Sequence, residues 1–155
     1  MGIGPSTKET TLHHFRDPLL DVVINDKDIN LLGIVIVGTP QSHEDKVFVG
    51  KRTATCVEAM NTDGVIISVD GWGNSHVDYA NTIEEIGKRD IDIVGLSFVG
   101  NQGKFVTTNR YMDTIVDYNK SKDGVETQIV GENNICEIDA RKSLALLKLK
   151  MKRRK

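Results

Sequence analysis

The chain contains three short apolar runs that are interrupted by glycine or polar residues but lack regular polar alternation. They cover residues 31–37, 65–69 and 91–99, and each is rich in Val and Ile. Such runs are typical of strands covered on both faces, as in the interior of a parallel sheet. The pattern therefore predicts buried strands at about 31–37, 65–69 and 91–98.

The two stretches between these runs have the periodicity of amphipathic helices, with apolar groups returning to one face. In residues 45–60 the predicted apolar face comprises Val49, the methyl group of Thr53, Cys56, Val57 and Met60, and in residues 75–89 it comprises Tyr79, Ile83 and Ile86. Strands that alternate with helices of this length predict βαβ units with right-handed crossovers. The first two strands should therefore run parallel.

The rest of the chain is less regular. A turn at Lys122–Gly124 precedes a predicted fourth strand at 125–130, and a helix begins near Glu137, with Ala140, Leu144, Leu147 and Met151 on one face. Residues 19–24 fit either a helix or an edge element. We therefore expect a single α/β domain over residues 1–155, with an N-terminal extension at 1–30 and a basic C-terminal helix and tail at 137–155. Its architecture should be a three-layer sandwich in which helices cover both faces of a mostly parallel sheet of about four strands.

Charge and cysteine content restrict the function classes. The net charge is −2, although residues 137–155 carry +6, and that basic end contains no aromatic residue to stack on bases. Lys and Arg commonly complement a helix C-terminus, so we expect no nucleic-acid partner. The run 31–37 is far shorter than the roughly 20 residues that cross a bilayer, and only two cysteines occur. A soluble cytoplasmic protein without a membrane partner is the expectation.

Polar loops follow the three predicted strands, at residues 38–45, 70–78 and 100–104. Open α/β sheets bind ligands beyond the carboxyl ends of their strands, where such loops lead into helices. Side chains of these loops should therefore cluster at one end of the sheet. The candidates for ligand or interface contacts are Thr39, His43, Asp70, Trp72, Asn74, His76 and Asn101, and no catalytic residue is assigned.

Two of these loops share the pattern Ser-His-x-Asp, at residues 42–45 and 75–78. Each fits a capping box, in which Ser accepts from a helix amide and Asp reaches back. Capping does not explain His43 and His76, which would lie on first helical turns that disfavour a protonated imidazole. A ligand role and a plain surface role both remain open for them. The four histidines lack metal-site spacing, so no metal site is expected.

Several long stretches resemble one enzyme family. The chain is similar to the D-proline reductase family and, more distantly, to the pyruvoyl chains of glycine, sarcosine and betaine reductases. The matching stretches are Gly2–Thr10, Leu12–Leu19, Lys46–Thr53, Asp70–Ser75 and Asn109–Asp117.

The resemblance implies a subunit of a D-proline reductase complex, in which D-proline is reductively opened to 5-aminopentanoate during amino-acid fermentation. In this family a precursor is cleaved at a cysteine that becomes a pyruvoyl group, and a selenocysteine on another subunit completes the reduction. The chain contains no selenocysteine, Cys56 falls inside a predicted helix, and Cys136 follows Ile135 instead of the family's junction residue. The expected partners are therefore reductase subunits that supply both groups, with no cofactor on this chain. A second copy of the chain, in a homo-oligomer, is a further partner option. The alternatives for the function are a non-catalytic assembly module and a small-molecule-binding module.

Overall fold

The computed structural model describes residues 17–69, 73–101, 103–124 and 134–154. These parts of the chain form a mixed α/β arrangement. In chain order its elements are α1 (Pro18–Ile24), α2 (His43–Ala59), β1 (Gly64–Ser68), α3 (Asn74–Gly87), β2 (Asp92–Ser97), β3 (Ile115–Asp117) and α4 (Glu137–Arg154). The apolar stretch 19–24, for which the sequence left two options, is thus a helix, with Asp17 as its N-cap.

The described strands form one three-stranded sheet in the order β1-β2-β3. β1 runs parallel to β2, with Ile66 opposite Val94, and β2 runs parallel to β3, with Leu96 opposite Val116. The predicted strands at 65–69 and 91–98 and their parallel direction are therefore confirmed. The sequence did not predict β3, which has only three residues and lies in a region without a clear period.

The predicted strand at 31–37 is wrong for this structure. These residues form no helix or strand, and most of their side chains are exposed. Strand propensity favours an extended backbone, but a strand also needs a neighbouring strand to which it can hydrogen bond. No described strand takes that place. The fourth predicted strand, at 125–130, lies outside the described residues.

Two hydrophobic clusters lie on opposite faces of β2, because successive strand side chains point in opposite directions. Ile93 belongs to a cluster with side chains of α2 and α3, whereas Val94 belongs to a cluster with Leu147 of α4 and Leu19 of α1. The middle strand is thus buried by helices that approach from both sides. A complete three-layer sandwich around four strands stays a prediction.

The buried helix faces agree with the sequence in α3 and α4 but not in α2. Tyr79, Ile83 and Ile86 are buried, as are Ala140, Leu144 and Leu147, whereas the buried residues of α2 are Lys46, Gly50, Ala54 and Val57. Cys56, which was expected to pack inside, is exposed. Contact with α3 determines which face of α2 is buried. Gly50 lies on that face, and a Cβ atom there would overlap the Asn81 amide group of α3. Gly50 therefore permits a close approach of the two helices.

None of the described helices is both long enough and apolar enough to cross a membrane. α4 has 18 residues, but acidic residues lie in its first turn and basic residues in its last.

Candidate functional site

Asp117, the last residue of β3, organises the loops at the carboxyl end of the sheet. Its Oδ2 atom accepts a hydrogen bond from the Gly100 amide at 2.9 Å and one from the Ser97 hydroxyl at 3.3 Å. Its Oδ1 atom accepts from the Asn119 amide at 2.9 Å. A single carboxylate thus fixes the loop that leaves β2 against the loop that leaves β3.

The same two loops meet again through a pair of glycines. Gly100 and Gly124 have φ values of 69° and 65°, a region that side chains rarely adopt. A Cβ atom at Gly100 would overlap the Gly124 carbonyl oxygen, so the two backbones can approach this closely only without a side chain. This contact holds Asn101, whose side chain is exposed, at the rim of the carboxyl end.

Tyr118 connects this region to β1. Its amide donates to the Ser97 carbonyl oxygen at 2.7 Å, and its buried hydroxyl donates to the Val69 carbonyl oxygen at 3.2 Å. Tyr118, directly after β3, therefore connects the carboxyl ends of all three strands through its bonds to Ser97 and Val69. The candidates Asp70 and Trp72 of the loop that follows β1 lie outside the described residues, and their role stays a prediction.

A buried ion pair joins the first turns of α2 and α3. The Lys46 Nζ atom lies 2.6 Å from Asp78 Oδ2, and the two side chains are only 4% and 7% exposed. The Asn81 side chain also donates to the Lys46 carbonyl oxygen at 3.0 Å. Buried charges need a partner of opposite sign, so this pair requires the two helices to keep their relative position.

His76 points into the protein from the first turn of α3. Its side chain is almost completely buried, its ring centre lies 4.8 Å from that of Phe105, and its Nδ1 atom accepts from the Val106 amide at 3.4 Å. No described residue hydrogen bonds to its Nε2 atom. Burial lowers the pKa of the imidazole below its usual value, so His76 is neutral near pH 7.

Tyr79 lies one turn further along α3 and stacks on the same Phe105 ring, with 5.9 Å between ring centres. Burial raises the pKa of the phenol. The hydroxyl packs against Gly95 in the middle of β2. His76, Tyr79 and Phe105 therefore form a covered aromatic group beneath the loop that begins at residue 103.

The predicted site residues that the structure describes differ in their placement and exposure. Asn74, His76 and Asn101 follow β1 and β2, whose carboxyl ends share one edge of the sheet. His43 lies at the start of α2, one turn before Lys46, and follows no described strand. Thr39, His43, Asn74 and Asn101 are exposed, whereas His76 is buried.

Two expectations for these residues need correction. A ligand role and a surface role were open for His76, and the surface role is wrong, because the residue is 2% exposed and its ring contacts Phe105. The capping box expected at 75–78 does not form, since Gly73 is the N-cap without a side-chain bond and Asp78 binds Lys46 instead. The box at 42–45 does form. An ion pair with a second helix outweighs a local cap for Asp78.

The sequence analysis missed Lys46, Tyr118 and Asp117 as parts of this region. Lys46 shares the spacing of the buried residues Gly50, Ala54 and Val57, which is an unusual place for a charge and could have indicated a buried pair. The pattern Asp-Tyr-Asn directly after Ile115-Val116 resembles a strand end followed by a polar turn. Its short strand carried too little periodicity to be recognised.

Both cysteines lie within the described residues, one in a helix and one directly before a helix. No group of three or more metal-ligating side chains occurs among the described residues. Cys56 lies within α2, and the Cys136 amide, directly before α4, donates to Asp139 Oδ2 at 2.9 Å. The carbonyl oxygens of Cys56 and Cys136 accept hydrogen bonds from the Met60 and Ala140 amides, so both backbones take part in helical hydrogen bonding.

These features define the chain as an α/β protein with a parallel sheet and hydrogen-bonded polar loops at the carboxyl end, the edge where such sheets bind ligands. The family model of glycine, sarcosine and betaine reductase component B subunits matches residues 2–139. The chain belongs to this family. The resemblance that the sequence indicated is therefore confirmed.

Three curated proteins illustrate the relationship. The chain is 42% identical over 146 residues to the D-proline reductase proprotein PrdA of Acetoanaerobium sticklandii, which covers 94% of the chain and 23% of that protein. It is 24% identical to the sarcosine reductase complex component B subunit alpha of Peptoclostridium acidaminophilum, covering 87% of the chain and 30% of the relative. It is 30% identical to the glycine reductase complex component B subunits alpha and beta of A. sticklandii, over 65% of the chain and 24% of the relative.

The chain thus spans about a quarter of the length of these relatives. No solved structure matches it. The names of these relatives describe a D-proline reductase proprotein and components of sarcosine and glycine reductase complexes.

Proposed function

We propose that this chain is a subunit of a D-proline reductase complex and supports the reductive ring opening of D-proline to 5-aminopentanoate in amino-acid fermentation. The observation that carries the proposal is the 42% identity to the D-proline reductase proprotein over 94% of the chain. The other two relatives, whose names refer to sarcosine and glycine, are less similar. D-Proline is therefore the favoured substrate of the complex, which we place in the cytoplasm.

In this proposal the pyruvoyl group and the selenocysteine come from partner chains. The positions of Cys56 within α2 and Cys136 at the start of α4 support this assignment, since neither resembles an accessible cleavage junction. The chain's own contribution is the carboxyl end of its sheet. There Asp117 and the paired glycines fix two loops, and exposed amide side chains such as Asn101 can donate to and accept from a substrate or a neighbouring subunit.

Purification of the complex tests the subunit assignment. A tag on this chain, in cells that produce it during growth on D-proline, should recover a pyruvoyl-bearing chain and a selenoprotein, together with dithiol-dependent formation of 5-aminopentanoate. Omission of this chain from the reconstituted complex should lower that activity. Recovery of the chain without reductase subunits, or full activity without it, would contradict the proposal.

The chain alone should carry no pyruvoyl group and reduce no D-proline. Intact mass spectrometry should give the uncleaved mass of 17.2 kDa. A chain cut before Cys56 or Cys136, with a blocked new N-terminus, would show that the pyruvoyl assignment is wrong.

Substitutions at the carboxyl end separate a role in turnover from a role in assembly. Asn101→Ala and His43→Ala change exposed side chains, so each should leave folding nearly unchanged and lower the activity of the reconstituted complex. Lys51→Ala, on an exposed position of α2 two turns after His43, is the control and should be fully active. Full activity of both site variants in a complex that still requires the chain would indicate a non-catalytic assembly module.

A further inference from the structure

Buried side-chain atoms without a hydrogen-bond partner are concentrated at the start of α3. Among the described residues there are four such atoms, and three of them belong to His76, Asp78 and Tyr79, within the first two turns of the helix. Native proteins pair nearly all of their buried polar groups, so each exception requires an explanation. The start of α3 follows β1 at the carboxyl end of the sheet, the edge where parallel sheets bind ligands.

Two of these three side chains have a polar neighbour within the protein. Asp78 already binds the Lys46 ammonium group through its other carboxylate oxygen, at 2.6 Å. The Tyr79 hydroxyl lies near the Leu96 amide, which opposes the rise in the pKa of the phenol that burial causes. The Nε2 atom of His76 is the one for which no such neighbour occurs among the described residues.

The unpaired nitrogen of His76 is a hydrogen-bond donor. The Nδ1 atom accepts from the Val106 amide at 3.4 Å, so it carries no proton. In a neutral imidazole one nitrogen accepts and the other donates, which places the proton on Nε2. Burial lowers the pKa of the ring and so favours this neutral form. The side chain is 2% exposed, and no described residue accepts from its Nε2–H group.

The same turn of α3 favours a negatively charged acceptor. α3 has 14 residues, and the positive end of its dipole lies at this terminus. The N-cap residue, Gly73, has a φ of 60° and no side chain, and no side-chain hydrogen bond caps this end of the helix. The first turn also contains no acidic residue. A carboxylate at such a helix end is favoured by the dipole and by the backbone amides.

A loop without helix or strand covers the imidazole. Residues 103–114 have no regular secondary structure, and Phe105 is the residue of this loop whose ring packs on His76. Phe105 is only partly buried, and its neighbours Lys104 and Val106 are exposed. The cover over His76 is therefore a single aromatic ring at the surface, next to a lysine that adds a positive charge to the loop.

We propose that His76 donates its Nε2–H group to the carboxylate of a small amino acid, which binds between the first turn of α3 and the loop at residues 103–106. The inference rests on the proposed function, because it assigns this place to the carboxylate of D-proline. The helix end supplies amides and a favourable dipole, and the neutral imidazole supplies a directed donor. The Phe105 ring moves aside when the ligand binds, and the ring nitrogen of D-proline is left free for chemistry on a partner chain.

Nuclear magnetic resonance of the full chain with isotope-labelled histidine tests the donor. Near pH 7.5 the His76 ring should be the tautomer that is protonated on Nε2. Titration with D-proline should shift the Nε2 resonance to saturation, because its proton gains an acceptor. Pyrrolidine, which has the same ring without the carboxylate, is the control and should cause no shift. A ring protonated on Nδ1, no shift with D-proline, or an equal shift with pyrrolidine would overturn the proposal.

Matched variants test the contact between the imidazole and the ligand. His76→Phe keeps an aromatic ring against Phe105 and removes the donor, so it should weaken D-proline binding, measured by isothermal titration calorimetry, by about tenfold or more. His76→Gln retains an N–H donor and should bind more tightly than His76→Phe. Lys51→Ala, at an exposed position of α2, should bind as the wild type does. Unchanged binding by a folded His76→Phe chain would show that the proposal is wrong.

The binding measurements are independent of the reductase complex, because every residue assigned to the site belongs to this chain. D-Proline binding by a chain that recovers no reductase subunits would contradict the proposed function and leave the His76 site in place. A chain that assembles into an active complex but does not bind D-proline by itself would contradict the His76 site alone.

Discussion

The two Ser-His-x-Asp stretches, at residues 42–45 and 75–78, have the same sequence pattern and opposite surroundings. At the start of α2, the Ser42 hydroxyl accepts from the Asp45 amide at 3.1 Å and donates to the Asp45 carboxylate at 2.6 Å, while His43 is exposed. At the start of α3, Gly73 is the N-cap, and the histidine and aspartate are both buried. The local sequence pattern therefore predicted the capping box at 42–45 correctly. At 75–78 the ion pair between the two helices determined the position of Asp78 instead.

Removal of one partner of the buried ion pair should give the largest loss of stability. Lys46→Met leaves the Asp78 carboxylate buried and unpaired, and we expect a loss of about 3–5 kcal/mol in the free energy of unfolding. The double variant Lys46→Met/Asp78→Leu should recover most of this loss, because no charge remains buried. Urea denaturation followed by circular dichroism measures both.

The exposed ion pairs of Lys88 with Glu84 and Glu85 supply the control. Lys88 is 47% exposed and solvent screens its ion pairs, so Lys88→Met should cost far less stability than Lys46→Met. Equal losses for Lys46→Met and Lys88→Met would contradict the importance of burial for the pair.

The two histidines should differ clearly when truncated. His76→Ala removes a buried ring that packs on Phe105 and should cost about 2–3 kcal/mol of unfolding free energy. His43→Ala removes an exposed ring and should change stability by less than about 0.5 kcal/mol. Thermal melts of the two variants at pH 7.5 compare them directly, and similar melting temperatures would be incompatible with the buried position of His76.

The buried imidazole also predicts a dependence of stability on pH. The pKa of His76 is lowered by burial, so the unfolded chain binds this proton at a higher pH than the folded chain. Its contribution is therefore complete above about pH 6.5 and is lost as the pH falls towards the folded-state pKa, with a slope of at most about 1.4 kcal/mol per pH unit. His76→Gln should lack this component in urea titrations between pH 7.5 and 5, whereas His43→Gln should retain it.

The smallest expected difference concerns the two serines. Ser42→Ala removes an N-cap and should cost about 1 kcal/mol of unfolding free energy, whereas Ser75→Ala removes no capping bond and should cost less than about 0.5 kcal/mol. Urea denaturation of the two variants resolves this difference. A larger loss for Ser75→Ala than for Ser42→Ala would contradict the absence of a serine cap at α3.

Much of the fold followed from periodicity. The apolar positions of α3 and α4 and the parallel strands near 65–69 and 91–98 were predicted because each element repeats a strong pattern over several residues. The buried face predicted for α2 differs from the observed one, because Lys46 and Gly50 are not apolar side chains and yet both face α3. The candidate loop residues of the site were chosen by their position after predicted strands, and their role stays a prediction. Asp117 was missed because β3 is only three residues long.

The sequence by itself determined the family, the helix and strand types of the long elements, and the local cap at Ser42. These depend on residues close together in the chain, or on stretches long enough to be matched as a whole. Only the tertiary structure decided that His76 and Asp78 are buried and that residues 31–37 remain unpaired. A buried charge requires its partner and a strand requires its neighbour, and in each case the second group comes from a distant part of the chain or from another molecule.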